Sequence, residues 1–196
     1  VSKLYFKYGA MGSSKTAQAL MCRFNYLQKG FDVFLFKPQA DNRCVEGGIP
    51  LVSSRIGLKR ECIEFSKDDS FLQLAKNYGI IKPASVIIID EAQFMTRQQV
   101  NEIKEISQNL PVLCYGLLTN FKTELFEGSK RLVEIADSIT EIKSVCKCGK
   151  KATVNARIIN GKIADDGEEQ FIGGDESYEG MCYSCFIKRK KQEKEN

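Results

Sequence analysis

Two stretches of this chain hold side chains of the type and spacing that handle phosphate. Gly9 to Thr16 reads GAMGSSKT and lies between an apolar stretch and a helical pattern. A loop in that position can curl its backbone amides around phosphates, with the positive end of the following helix behind them. Lys15 can then reach the outer phosphate oxygens, and the Thr16 hydroxyl can bind Mg²⁺. The usual pattern is G-x-x-x-x-G-K-[ST], and Ser14 stands where its second glycine would be. The second stretch, VIIIDEAQF at 86–94, is an apolar strand ending in two carboxylates. Asp90 can hold Mg²⁺ through water there, and Glu91 can activate a nucleophile. Ligands of open α/β sheets sit at such strand ends.

The chain contains no histidine. That removes Ser-His-Asp triads, Cys-His dyads and histidine-ligated metals, and leaves Glu91 as the natural general base. The eight cysteines are unevenly placed. Cys22, Cys44, Cys62 and Cys114 are scattered and read as small hydrophobes in or near the core. Cys146 and Cys148 form a C-x-C pair, and Cys182 and Cys185 a C-x-x-C pair. Four thiolates suit a tetrahedral zinc site, and with every position filled by protein the site is structural.

Positioning these residues requires alternating strands and helices. Strands are expected at 3–8, 32–37, 61–65, 85–89, 111–117 and 138–145. Helices are expected at 17–29, 68–78, 96–109 and 129–137, with Leu20, Phe24 and Leu27 on one face of the first. The stretch 39–60 reads as one long loop. The fold class is therefore α/β, P-loop NTPase-like, with a mostly parallel sheet and flanking helices. The pattern changes near residue 144. A hairpin at 152–164 turns at Asn160-Gly161, and a polar stretch at 165–177 leads to the second cysteine pair. This predicts an ATP-binding α/β domain at 1–143, a small zinc-ribbon domain at 144–186 and a charged tail at 187–196.

Composition bounds the function. Hydrophobic residues make up 43% and charged residues 28%, as in a folded globular chain. The net charge is +4, but residues 187–196 carry five Lys/Arg and two Glu, which leaves +1 (4 − 3) for the rest. That is no footprint for nucleic acid. No apolar run approaches the ~20 residues of a membrane span, and Val1–Tyr8 is too polar for a signal peptide. A cytoplasmic chain with no membrane or nucleic-acid partner is expected. DEAQ is also found in helicase motors, but those need two such domains and a basic channel. A one-domain ATPase and a zinc-ribbon nucleic-acid binder are the other competing readings; ADP release that requires a small acceptor separates a kinase from both.

Taken together, GAMGSSKT, DEAQF, Asp41-Asn42-Arg43, SSRIGL at 53–58 and IGGDESYEGMCYSC at 172–185 resemble the thymidine kinases of the zinc-containing, tetrameric family. The match runs in order from residue 3 to about 186. The resemblance implies transfer of the ATP γ-phosphate to the 5′-hydroxyl of thymidine or deoxyuridine, in nucleotide salvage for DNA synthesis. It implies Glu91 as the catalytic base. It places ATP on Gly9, Ala10, Met11, Gly12, Ser13, Ser14, Lys15, Thr16, Asp90 and Gln93, with Asp41 and Arg43 near the phosphates. The pocket for the base would carry Met11, Phe94, Leu117, Phe121, Phe126 and Tyr178. A lid from Ala164 to Tyr178 would read the base through Glu169, Gln170, Phe171 and Ile172. The resemblance further implies ATP, Mg²⁺ and structural Zn²⁺ as cofactors, a homotetramer, and feedback inhibition by dTTP. Ser14 and the C-x-C spacing depart from the family pattern.

Overall fold

The computed structural model describes residues 3–41, 44–164 and 178–195. In chain order the elements are β1 (Leu4–Tyr8), α1 (Lys15–Gln28), β2 (Asp32–Pro38), β3 (Val45–Glu46), β4 (Ile49–Ser53), β5 (Lys59–Glu61), β6 (Ile63–Phe65), α2 (Phe71–Asn77) and β7 (Ser85–Ile89). A single 3-10 turn follows at Ala92–Phe94, then α3 (Arg97–Ile106), β8 (Val112–Gly116), α4 (Glu127–Ile135), β9 (Ser138–Glu141), β10 (Val154–Ile159), β11 (Lys162–Ile163), β12 (Tyr178–Met181) and α5 (Tyr183–Glu195).

Six strands form one sheet in the order β6-β2-β7-β8-β1-β9, and every pairing in it is parallel. The central strand β7 is buried along its whole length. Its side chains alternate between two cores, as the pleat requires. Val86 and Ile88 join Ala19, Leu20, Leu113 and Tyr115 on the α1 face. Ile87 and Ile89 join Phe71, Val100, Ile103 and Leu132 on the other. The helices are started by local chemistry. Ser70 caps α2, and Thr96 with Gln99 forms a reciprocal capping box at the start of α3.

Two readings of the sequence are corrected, and the seating of α1 is added. The stretch 39–60 is not one loop: β3, β4 and β5 form a three-stranded antiparallel sheet. The expected strand 61–65 divides into the end of β5 and the separate β6. On α1, Leu20 is buried, but Phe24 is 56% and Leu27 41% exposed. The small residues Ala17 and Ala19, with Leu20, seat that helix on the sheet instead.

The chain after residue 144 forms a second, antiparallel sheet in the order β11-β10-β12, with its own apolar cluster around Val154, Ala156, Met181 and Phe186. The hairpin turn at Asn160-Gly161 has φ of 50° and 78°, the paired positive values of a two-residue turn. Helix α5 runs without a break through the start of the charged tail. Arg189 bonds the Gly161 carbonyl, and Glu193 accepts the Ile163 amide. Of the scattered cysteines, Cys114 is buried and Cys22, Cys44 and Cys62 are half-buried.

Candidate active site and cysteine cluster

The phosphate-loop candidates leave β1 and enter α1 at the carboxyl end of the parallel sheet. Ser14 occupies the N-cap of α1 in the left-handed region, with φ 63° and ψ 25°, and its side chain caps nothing. Glycine adopts that conformation without cost, which is why the usual pattern has glycine there. Lys15 is buried, with its ammonium against the carbonyls of Gly9 at 3.0 Å and Ala10 at 3.1 Å. Thr16 Oγ1 donates to Asp90 Oδ2 at 2.9 Å, so the first turn of α1 is joined to the end of β7 by one hydrogen bond. Asp90 is buried, and burial, with the charge of Glu91 second, pushes its carboxyl up to about 7.

Glu91 follows with φ 50° and ψ 40°, also left-handed. A carboxylate-bearing residue in that region marks strain of the kind found at working sites. Gln93 is buried, donates through Nε2 to Glu91 Oε2 at 2.6 Å, and accepts the Leu117 amide at 3.0 Å. Ser129 donates to the Leu117 carbonyl. Met11 to Thr16 of the phosphate loop, Asp41, Asp90 and Glu91 line one cleft of about 460 Å³. Hydroxyl and carboxylate oxygens at Thr16 and Asp90 are the hard donors that Mg²⁺ takes.

The loop is also held from the second sheet. The Met11 amide donates to Asn155 Oδ1 at 2.8 Å, and Asn155 Nδ2 donates to the Thr119 carbonyl at 2.8 Å. Gly180 lies so close that a Cβ there would stand 2.6 Å from the Met11 carbonyl. The Asn155 contact has no signal in the sequence: Asn155 and Arg157 are two polar residues in an otherwise apolar strand.

The four paired cysteines come together. Their sulfurs all lie within 4.8 Å of one another, with Cys148 and Cys182 at 3.6 Å. Tetrahedral zinc with ~2.3 Å bonds to sulfur spaces its ligands by ~3.8 Å, so the set fits. A backbone hydrogen bond near Cys148 lowers the Cys146 thiol to about 6, while bonds to its neighbouring thiols raise Cys185 to about 12. Protons are thus shared unevenly, and a dication would replace them.

The sequence model described as thymidine kinase matches residues 2–186. A thymidine kinase of Zymomonas mobilis subsp. mobilis is 42% identical over 192 residues, covering 96% of this chain and 98% of its own. One from Rhodopirellula baltica is 40% identical over 185 residues, covering 93% and 86%. One from Legionella pneumophila is 41% identical over 186 residues, covering 93% and 88%.

The chain belongs to the thymidine kinase family.

The residues that the resemblance to thymidine kinases singles out can now be placed. Gly9 to Thr16, Asp90, Glu91 and Gln93 converge at one end of the sheet, with the Gln93 side chain engaged by Glu91 and Leu117. Asp41 is buried and lines the same cleft. Phe94 and Phe126 meet edge to face with centroids 5.7 Å apart. Phe121 is buried under the Arg157 guanidinium, 5.4 Å from its centroid, and Arg157 pairs in register with the half-buried Tyr178. Among the described residues, Met11 borders the phosphate-loop cleft, and Phe121 borders a second cleft with Ala164, Tyr183 and Phe186. Arg43, Glu169, Gln170, Phe171 and Ile172 lie outside the described residues. Among the described residues, no helix is long and apolar enough to cross a membrane.

Proposed function

We propose that the chain transfers the γ-phosphate of ATP to the 5′-hydroxyl of thymidine or deoxyuridine, yielding the nucleoside monophosphate and ADP. The observation that carries this reading is the meeting of the phosphate loop with Asp90 and Glu91 in one cleft, in a chain of the thymidine kinase family. The loop amides of Gly9–Thr16 hold the phosphates, and Glu91 takes the proton of the 5′-hydroxyl. A bond forms between that oxygen and the γ-phosphorus as the bond to the β,γ-bridging oxygen breaks, and ADP leaves. Thr16 and Asp90 would hold Mg²⁺, which when bound offsets charge on the phosphate oxygens. Asp41 and Arg43 belong near the phosphates, and Met11, Phe94, Leu117, Phe121, Phe126 and Tyr178 near the base, under the lid that ends at Tyr178. We assign residues 1–143 to ATP binding and 144–186 to a zinc-ribbon unit with that lid, followed by the charged tail. Zinc, when bound, cross-links Cys146, Cys148, Cys182 and Cys185.

The reading includes a cytoplasmic homotetramer, supported by the exposed apolar side chains of Met21, Phe24 and Leu27 spaced three apart on α1. It also includes inhibition by dTTP, whose base and triphosphate would span both half-sites and gain from the linkage. The test is ADP release from ATP and Mg²⁺ with and without thymidine. Release that depends on thymidine, with dTMP formed, supports the kinase; equal release without it supports a simple ATPase and ends this reading.

A further inference from the structure

The hairpin joining β4 to β5 reaches the phosphate-loop cleft, and nothing above gives it a role. Its root is anchored: Val52 is 2% exposed and packs in the same core as Leu20 and Ile88, with Leu58 against them. Its tip is a closed turn. The Ser54 amide donates to the Leu58 carbonyl at 2.8 Å, the Gly57 amide donates to the Ser54 carbonyl at 3.0 Å, and Ser54 Oγ accepts the Leu58 amide at 3.1 Å. Ser54 is buried, and Gly57 has φ 84°. The tip residue Arg55 is thereby held out from a fixed base, toward the loop. Its Nη1 lies 3.9 Å from where a Cβ would stand on Gly12, and it lines the same cleft as Lys15, Thr16, Asp90 and Glu91.

The charges of that cleft are unbalanced. Among the described residues lining it, the cations are Lys15 and Arg55, against the carboxylates of Asp41, Asp90 and Glu91. A triphosphate adds more negative charge, so a second cation at the mouth of the loop has a clear electrostatic use. Arginine suits it, because its planar fork matches two phosphate oxygens at once. We propose that Arg55 is a phosphate-binding residue, carried on the β4–β5 hairpin, that contacts the terminal phosphates of the nucleoside triphosphate. This rests on the kinase reading of the same cleft.

The test uses the full chain and the variants Arg55→Gln and Arg55→Lys. Steady-state rates are measured against ATP and thymidine separately, and binding of adenosine and of a β,γ-imido ATP analogue by calorimetry. Arg55→Gln should lose ~10–100-fold in kcat/KM for ATP, and the analogue should weaken while adenosine and the KM for thymidine stay within twofold. Arg55→Lys should restore part of the loss, since it keeps the charge without the fork. Arg55→Gln with wild-type kcat/KM for ATP overturns the assignment, and so does an equal loss for adenosine and the analogue. If the unaltered chain makes no dTMP, the kinase reading fails instead, and the calorimetric comparison still decides whether Arg55 binds phosphate.

Discussion

Gln93 holds Glu91 by one end of its amide and Leu117 by the other, at 2.6 and 3.0 Å. The proposed base is therefore braced against the strand end that would border the nucleoside. Under the proposed reaction, Glu91→Gln keeps the shape and removes the base, with an expected rate loss of ~10²–10⁴-fold and retained ATP binding. Gln93→Leu keeps the base but removes the Gln93 hydrogen bond to its carboxylate and orphans the Leu117 amide. Its expected signature is a fall in kcat of ~10-fold or more, with the KM for ATP little changed. Wild-type turnover in Glu91→Gln would sink the assignment of the base.

Asp90 gives the fold a pH dependence. Burial raises its carboxyl from 3.8 to about 7, so the folded chain holds that proton more tightly than the unfolded chain does. The resulting stability is full below pH ~4 and is lost as the pH climbs through about 7. Asp90→Asn removes the titration. The ligand-free variant should be more stable than the parent at pH 8, by on the order of 2 kcal/mol, and the gap should close toward pH 4.5. Urea unfolding at the two pH values measures this, and an offset independent of pH would refute it.

Ser14 sits at φ 63° where a Cβ is crowded by its own backbone. Ser14→Gly should stabilise the chain by ~1 kcal/mol, offset in part by the greater freedom of glycine when unfolded. A melting temperature that falls in the variant would show that the strain is relieved in some other way.

The cysteine cluster predicts one zinc per chain. Chelation should expose four reactive thiols and open residues 146–185 to protease, while the parallel sheet persists. Metal analysis finding no zinc, with all four thiols reactive from the start, would count against the site.

Under the proposed assembly, Phe24, 56% exposed beside Met21 and Leu27, would centre a contact between copies. Phe24→Glu should lower the mass measured by light scattering without lowering the helical signal. An unchanged assembly would move the interface elsewhere.

Much of the site was legible because its chemistry depends on residues close together in sequence. GAMGSSKT, the run ending in Asp90-Glu91, and the two cysteine pairs are each local patterns; the fold joins Thr16 to Asp90 and gathers the four cysteine sulfurs within 4.8 Å of one another. The 39–60 region reads as a loop because its strands are only two to five residues long, with Pro50 inside β4 and Gly47 and Gly48 between β3 and β4. Gly47 and Gly48 have φ of 59° and 82°, so the Gly-Gly pair was itself a two-residue hairpin signal. The exposure of Phe24 was not legible, because spacing finds an apolar stripe on a helix but not what covers it. Asn155 could not have been found, since its partners at Met11 and Thr119 are set by tertiary structure alone.

The clasp that Asn155 and Gly180 place on Met11 has a consequence for the order in which the chain is made. The loop to be clasped is made before its clasp: Asn155 comes 144 residues after Met11, and Gly180 later still. Strand β1, which delivers that loop, likewise waits for β8 and β9 on either side. Strand β1 therefore lacks its native neighbours until β8 and β9 are made, and the core positions of Leu4 and Phe6 cannot be completed before then. A nascent chain halted before Gly180 carries every residue of GAMGSSKT and DEAQF, but not the complete clasp.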